Sequence, residues 1–478
     1  MHKIEDSLEL REKYFVNPTK DFTRVRKLTF EDVVMCQIVR SGSTLNSMLL
    51  DYFGYGDERP SKPAYGNQMK KIKDGFWPDF YRDMTKMITK SLIKSDSKSK
   101  GYRLVAIDGT DLAVPEYDEK NHTFTLRNHG QVSTHNSIHI NAAVDVVSSV
   151  CVDVVLQHGD DMNEAAAAVE IIKNYDGPKQ TIFVCDRGYP SYNLLANIIE
   201  RGMYFLIRDG NSLGEYWWNK FAGEKREGSI TVTIRLTRSN ATVVKNSELY
   251  HGILPTTTFD FLPDNPPFKQ GCKVTSVDEI PEGYYYEMTF RVVKVKIGKE
   301  GGKNEYETLI TNLPEEDFTP EELKKTYHSR WSIETFFREL KHDEFLMYLH
   351  AKRTDFIVAE IYARLVLHNI VSLLVAEATS KLKEENELKE EKELKEEQVL
   401  KEKKELKDKE TNKKKITSYS ISHTDATKAI RIFLEEKRGK PKKLIKELVR
   451  NLSPIKAGRT FPRKLNLRGF AGFHYQAA

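Results

Sequence analysis

The residues with the clearest capacity for chemistry lie in the stretch YHSRWSIETFFRELK, from Tyr327 to Lys341. A helix advances by about 100° per residue, which places Arg330 at about 300° and Glu334 at about 340° relative to Tyr327. Lys341 falls on the same narrow stripe, and Glu339 lies well off it. The opposite side is apolar, with Ile333, Phe336, Phe337 and Leu340. The pattern predicts an amphipathic helix with one buried face and one face that carries an acid between cations and a phenol.

Two further acids each follow a short apolar run that is typical of a buried strand. Asp108 stands in YRLVAIDGT, and Asp186 stands 78 positions later in TIFVCDRGY, directly after a predicted strand at Thr181–Cys185. Glu334 lies 148 positions after Asp186. An acid at a strand end most often forms a turn. Three carboxylates on rigid elements can instead hold two Mg²⁺ ions, which activate a water and stabilise the leaving oxygen of a phosphodiester.

The spacing Tyr-x2-Arg-x3-Glu-x6-Lys resembles the signature of the IS4 family of bacterial DDE transposases. The segments DGT around Asp108 and DRGY around Asp186 also resemble blocks of that family. The resemblance implies an α/β fold with a ribonuclease-H-like mixed-sheet catalytic core. It implies Mg²⁺-dependent strand cleavage and strand transfer, with two ions held by Asp108, Asp186 and Glu334, and with Mn²⁺ able to substitute.

The same resemblance implies a cut-and-paste transposase whose partners are the terminal inverted repeats, the target DNA and a second copy of the chain in a synaptic homodimer. Charge-assisted bonds to the phosphates of the transposon end are expected from Arg330 and Lys341, together with Tyr327. Arg187 and Arg338 are further candidates for DNA contacts. The expected place of action is the bacterial cytoplasm, at the nucleoid.

Other readings stay open from the residues alone. The polar stripe is also what an ordinary solvated helix face would show. A metal-dependent nuclease on the same core would cut DNA without terminal repeats. A domesticated DNA-binding protein would have lost catalysis, and the intact acids argue against it.

Composition sets the broad class of the protein. The 478 residues carry a net charge of +5, which neither requires nor excludes a nucleic-acid partner. Four scattered cysteines lack metal-binding spacing and favour a reducing compartment. The first residues of the sequence lack the apolar run of a secretory signal, so none is expected. No membrane partner is expected either, because charged and polar residues interrupt the apolar stretch 356–378.

Six segments follow from composition and turn signals. Residues 1–95 are predicted to form an all-α domain that binds DNA ends, with Thr29 and Asp32 as a capping pair; an ordinary helical bundle is the alternative. Residues 102–209 form the first part of the core, 210–302 a β-rich insertion, and 303–380 the second part with the Glu334 helix. A Lys/Glu-rich spacer covers 381–412. The basic region 413–478 either binds DNA or packs on the core.

Several side chains receive non-catalytic predictions. Asp145 and Asp153 are expected on a wet face of the sheet, and His368 is expected to be a packing residue. Members of the resembled family that cut through a DNA hairpin carry a tryptophan where this chain has Tyr306 and Glu307. Tyr306 can stack on a base. The pair Trp217 and Trp218 offers the same chemistry, but paired tryptophans more often serve packing.

Overall fold

A computed structural model describes residues 2–24, 26–57, 59–92, 101–114, 123–128, 131–159, 161–210, 212–239, 248–264, 280–300, 303–402, 419–435, 441–450 and 452–454. The chain divides into two compact units. One consists of Met1–Ser95, Ala113–Ser137 and Phe337–Ala478, and the other of Asp96–Leu112 and Ile138–Phe336.

The first unit is mainly helical. Its amino-terminal helices are α1 His2–Asp6, α2 Leu8–Tyr14, α3 Phe30–Val39, α4 Leu45–Phe53, α5 Lys62–Met69 and α6 Phe76–Leu92. The predicted capping pair is confirmed, because the Thr29 hydroxyl accepts from the Asp32 amide at 3.1 Å and Asp32 accepts from the Thr29 amide at 3.2 Å. Helices α3 and α6 pack against the carboxyl-terminal helix α12, Thr354–Glu402. The end-binding role predicted for residues 1–95 stays a prediction.

The remaining elements of this unit are the hairpin of β2, Thr123–Asn128, with the first half of β3, and the short strands β11, Tyr419–Ile421, and β12, Leu452–Pro454. Helices α13, His423–Glu435, and α14, Pro441–Arg450, pack on α12. The predicted spacer is helical as far as Glu402, and residues 403–412 lie outside the described residues. Of the predicted basic region 413–478, residues 413–418, 436–440, 451 and 455–478 also lie outside them.

A part of α12 resembles a membrane-spanning helix in composition. The segment Thr354–Glu384 passes the test of length and hydropathy, yet 78% of its most apolar window is buried inside the protein. Four polar residues of this segment are at most 2% exposed: Glu360, Arg364, His368 and Asn369. Glu360 is neutralised by Arg40 at 2.9 Å. The segment therefore has the burial of a core helix in a soluble protein.

The second unit is built on a large mixed sheet. Its strands are β1 Arg103–Val114, β3 Gln131–Asp145 from residue 138 onward, β4 Cys151–His158, β5 Thr181–Cys185, β6 Tyr204–Arg208, β7 Gly228–Thr237, β8 Tyr250–Gly252, β9 Tyr285–Glu300 and β10 Lys303–Thr311. The strand order from β4 is β4-β3-β1-β5-β6-β10-β9-β7-β8. Strands β1, β5 and β6 run parallel, and β3 and β4 form an antiparallel hairpin. The architecture is compatible with a ribonuclease-H-like DDE domain.

The segment predicted as a β-rich insertion extends this sheet. Strand β10 returns antiparallel to β6, and β9 and β7 continue outward from it. The segment begins with a helix rather than a strand, α9, Leu213–Phe221. Trp217 and Trp218 lie on α9 and are 0% and 3% exposed, so the packing role predicted for them is confirmed.

The core of the sheet shows why one sequence expectation was wrong. Asp145 and Asp153, expected on a wet face, are 2% and 6% exposed. Asp145 pairs with the buried Arg103 at 2.6 Å and accepts from the Ser148 amide at 2.8 Å. A buried carboxylate is tolerated when it is paired and hydrogen-bonded, and strand alternation cannot reveal such a partner.

Helices on the two faces complete the unit. They are α7 Glu164–Asn174, α8 Tyr192–Glu200 and α10 Pro320–His328, followed by α11 Ser332–His342, which runs past residue 336. Each of the first three begins at a residue suited to a helix start: Asn163 caps α7, Ser191 caps α8, and Pro320 occupies the first turn of α10. The continuous helix predicted over 327–341 is interrupted, because a 3₁₀ turn at Ser329–Trp331 separates α10 from α11.

Candidate active site

The register of β1 and β5 brings Asp108 next to Asp186. The two strands pair in parallel up to Ile107 and Cys185, and each aspartate is the residue that follows. Strand β1 continues to Val114, so Asp108 lies inside a strand and not at its end as expected. It stands where parallel pairing with β5 stops, and its side chain is 24% exposed.

Arg330 connects these aspartates with Glu334. Its guanidinium lies 3.1 Å from Asp108 Oδ2, 3.6 Å from Asp186 Oδ2 and 3.6 Å from Glu334 Oε1. The Arg330 side chain is 6% exposed, while the three acids are 24–37% exposed. Three carboxylates from distant parts of the chain therefore converge on one buried positive charge and remain open to solvent.

The 3₁₀ turn explains how Arg330 reaches this position. It tightens the chain between α10 and α11, and Arg330 is 5% exposed within it. Tyr327, at the end of α10, donates from its hydroxyl to Asp186 Oδ1 at 3.0 Å. Burial raises the pKa of this phenol, and the Asp186 charge adds to the effect. Tyr327 therefore acts as a hydrogen-bond donor at neutral pH.

The pKa values of the two aspartates are shifted in opposite directions. Burial raises the pKa of Asp108, and the charges of Asp186 and Glu164 add to the effect against the opposing influence of Arg330. Burial acts in the same direction on Asp186, but the Arg187 amide, the Arg330 charge and the Tyr327 hydroxyl together lower its pKa. Asp108 is therefore the aspartate whose ionisation depends more strongly on added positive charge.

A fourth acid, Glu164, lies beside the glycines that follow the two aspartates in the chain, Gly109 and Gly188. An added Cβ on Gly109 would lie 2.8 Å from Glu164 Oε1, and one on Gly188 would lie 2.9 Å from its Oε2. The Glu164 carboxylate thus occupies the space that the two glycines leave. Sequence reasoning missed this residue, because an acid in the first turn of a helix is common and carries no special spacing.

His139 continues this group on the Asp108 side. Its Nδ1 lies 2.8 Å from Asp111 Oδ1, and its Nε2 lies 3.5 Å from Glu164 Oε1. Burial acts to lower the pKa of His139, but the Asp111 and Glu164 carboxylates raise it to about 9. The imidazole is consequently protonated at neutral pH, and it offsets part of the negative charge next to Asp108.

A charged pair lies on the other side of Asp186. Arg208 Nε binds Glu307 Oε1 at 3.0 Å, and Arg208 Nη1 lies 3.9 Å from Asp186 Oδ1. Burial raises the pKa of Glu307, and Arg208 opposes this. Glu307 is one of the two residues that the sequence analysis compared with a tryptophan, and its side chain forms this ion pair. Its neighbour Tyr306 is half-buried.

The other predicted DNA-contacting residues lie elsewhere. Arg187 is exposed directly after Asp186. Arg338 and Lys341 follow on α11 and belong to the mainly helical unit. Five of the eight predicted site residues are thus brought together in one unit: Asp108, Asp186, Tyr327, Arg330 and Glu334.

The donor set of this site fits divalent metal ions. The acids present hard oxygen atoms to a common centre, and that centre already attracts a cation, the Arg330 guanidinium. Glu164 and Glu307 increase the negative charge around it. Carboxylates gathered at this density are stabilised by positive charge, which hard cations such as Mg²⁺ can supply.

Comparison with known families supports the same chemistry. A family model described as the transposase DDE domain matches residues 99–370, which is more than half of the chain. The matched range includes every acid described above. No curated protein sequence matches the chain.

Proposed function

The chain belongs to the transposase DDE-domain family, and from that membership we propose that it is the transposase of an IS4-type insertion sequence. It binds the terminal inverted repeats of its element, cleaves the strands at the ends and joins the 3′-ends to target DNA. The observation that carries the proposal is the convergence of Asp108, Asp186 and Glu334 on one guanidinium. The spacing of the Tyr327–Lys341 motif supports the assignment to the IS4 type.

DDE transposases use divalent metal ions, and we assign two Mg²⁺ ions to Asp108, Asp186 and Glu334, with Mn²⁺ as a substitute. Ions held there would activate the attacking water or 3′-hydroxyl and stabilise the leaving oxygen. One site serves both cleavage and strand transfer, because only the nucleophile changes between the two steps.

The cationic residues are assigned to the DNA. Arg330 and Lys341 bind phosphates near the scissile bond with Tyr327, and Arg187 and Arg338 contribute at the edge of the interface. The exposed basic residues of the first 95 positions, among them Arg24, Lys62 and Lys70, are assigned to the transposon end. A homodimer holds the two ends, and the reaction takes place in the bacterial cytoplasm at the nucleoid.

A cleavage assay on end-containing DNA tests the proposal. The purified chain is incubated with Mg²⁺ and a duplex that carries the inverted repeat of its element, alongside a duplex with a scrambled repeat. We expect cleavage at the repeat terminus, and its loss in Glu334→Gln with end binding retained in a mobility-shift assay. Glu321→Gln, the same substitution at an exposed position on α10, serves as the control.

Each alternative outcome has a definite meaning. Cleavage that ignores the repeat identifies a nuclease of the same family and contradicts the transposase assignment. Normal end cleavage by Glu334→Gln removes Glu334 from the catalytic set. End binding without cleavage by the unaltered chain, with either Mg²⁺ or Mn²⁺, indicates a DNA-binding protein without catalysis.

A further inference from the structure

A second cluster of metal-ligating side chains lies in the mainly helical unit. Glu339 is on α11, Glu344 follows in the turn after it, His368 is on α12 and His423 is the first residue of α13. The side chains of Glu344 and His368 are fully buried, and those of Glu339 and His423 are 13% and 14% exposed. The cluster joins three helices.

The distances within the cluster exceed those of good hydrogen bonds. His423 Nε2 lies 3.8 Å from Glu339 Oε2 and 3.7 Å from Glu344 Oε1, and His368 Nδ1 lies 3.4 Å from Glu344 Oε1. Hydrogen bonds of this kind span about 2.7–3.2 Å. Ligands at about 2.0–2.1 Å from a tetrahedral zinc ion lie about 3.3–3.4 Å apart. The three separations lie at or somewhat above this spacing, and one donor atom from each of Glu339, His368 and His423 lies within 4.8 Å of the others.

Outer partners orient the two imidazoles toward this centre. Ser372 Oγ lies 3.2 Å from His368 Nε2, which turns Nδ1 toward Glu344. Asp343 Oδ2 lies 3.4 Å from His423 Nδ1, which turns Nε2 toward the cluster, and Thr424 donates to Asp343 Oδ1 at 3.1 Å. Metal-binding histidines characteristically have their other ring nitrogen held in this way.

The cluster also contains buried polar atoms without a hydrogen-bond partner among the described residues. They are Glu344 Oε2 and His423 Nε2. Leaving a buried carboxylate oxygen unsatisfied costs free energy, and the cost is larger when the group is charged. A bound cation at the centre would give His423 Nε2 a partner and would neutralise the Glu344 carboxylate.

We propose that Glu339, His368 and His423 bind one structural Zn²⁺ ion, with the buried Glu344 carboxylate beside them to balance its charge. Two imidazole nitrogens with carboxylate oxygens form a donor set that suits Zn²⁺, whereas Mg²⁺ prefers oxygen ligands. The ion fixes α11, α12 and α13 to one another. The site is separate from the all-oxygen set of Asp108, Asp186 and Glu334, and it does not depend on the function proposed for those acids.

Metal analysis of the full-length chain tests the proposal. The protein is purified from zinc-supplemented medium without chelator and examined by inductively coupled plasma mass spectrometry. We expect about one zinc per chain, and at least a tenfold loss of zinc in His423→Gln. Glu334→Gln and His350→Gln, which change the acid of the catalytic set and a half-buried histidine outside the cluster, keep the metal.

A second measurement needs no substitution in the cluster. The metal-free chain is titrated with Co²⁺, and a tetrahedral site gives visible absorption bands that saturate at one equivalent and disappear when Zn²⁺ is added. A chain that carries no stoichiometric zinc and shows no such bands contradicts the proposal. Zinc that stays in His423→Gln but leaves with Glu334→Gln places the ion at the catalytic acids and equally overturns it.

Discussion

Arg330 offers the sharpest test of the site, because one side chain holds three acids in place. Its guanidinium makes one contact at hydrogen-bond distance, 3.1 Å, and two more at 3.6 Å. Removing one member of a buried charge cluster costs about 3–5 kcal/mol. The acids here are partly exposed, so solvent screening reduces the expected cost for Arg330→Gln to about 2–3 kcal/mol.

The expected result is a loss of stability that divalent ions reverse. In chelator, Arg330→Gln should lower the thermal midpoint by roughly 5–10 °C, since a cost of 1 kcal/mol shifts the midpoint of a unit of this size by about 2–4 °C. The three acids then lack a counter-charge, so added Mg²⁺ or Mn²⁺ should stabilise the variant more than the unaltered chain. Differential scanning fluorimetry with a metal titration measures both effects.

The control is Arg338→Gln, an exposed arginine on α11. An exposed cation contributes little, so the free energy of unfolding of this variant should stay within about 0.5 kcal/mol of that of the unaltered chain. If Arg330→Gln behaves like Arg338→Gln in chelator, the guanidinium does not neutralise the acids. If its stability is no more sensitive to metal than that of the unaltered chain, Arg330 and the ions do not share a binding region.

Three further predictions concern the surroundings of the acids. The pKa of His139 is raised to about 9. The stabilising contribution of its charged form is therefore complete below about pH 6.5 and is lost as the pH rises through 9. His139→Gln should consequently reduce the fall in thermal midpoint between about pH 7 and 9.5. In Gly109→Ala the new Cβ would lie 2.3 Å from His139 Nε2. We therefore expect at least a tenfold loss of cleavage and a cost of about 1–3 kcal/mol in a denaturant titration. Gly75→Ala, which has open space around the added Cβ, should match the unaltered chain. Arg103→Met should cost about 3 kcal/mol in the same titration, because it leaves Asp145 buried and unpaired. The double variant Arg103→Met with Asp145→Leu should recover part of this loss. A double variant no more stable than the single one would refute this account of the pair.

Sequence periodicity anticipated the elements because it reports which side of an element is buried. The apolar run before Asp186 predicted β5 at Thr181–Cys185, and the structure has the same bounds. The caps at Asn163 and Ser191 were likewise readable, since a short polar side chain before an apolar helix satisfies amides that would otherwise lack partners.

Contacts across the sheet could not be read in this way. Nothing in the spacing of Asp145 indicates that Arg103 lies beside it on another strand, so burial was predicted wrongly there. Glu164 was missed for a similar reason, because its proximity to Gly109 and Gly188 follows from how α7 lies against the sheet. The interruption of the 327–341 helix depends on the buried position of Arg330, which an ideal helical wheel places on an exposed stripe.

The position of Arg330 connects metal binding with DNA binding in the proposed reaction. While its guanidinium lies among the acids, it occupies the region to which the proposed Mg²⁺ ions are assigned and is unavailable to a phosphate. A phosphate that binds Arg330 would draw positive charge away from the acids and increase their affinity for cations, and bound cations would free Arg330 for the phosphate. Each ligand therefore favours the other, as any coupling between two binding events must be reciprocal. Asp108, whose pKa burial raises, would gain most from bound cations, so under this proposal the complete set of charges would be assembled only with both metal and DNA end bound.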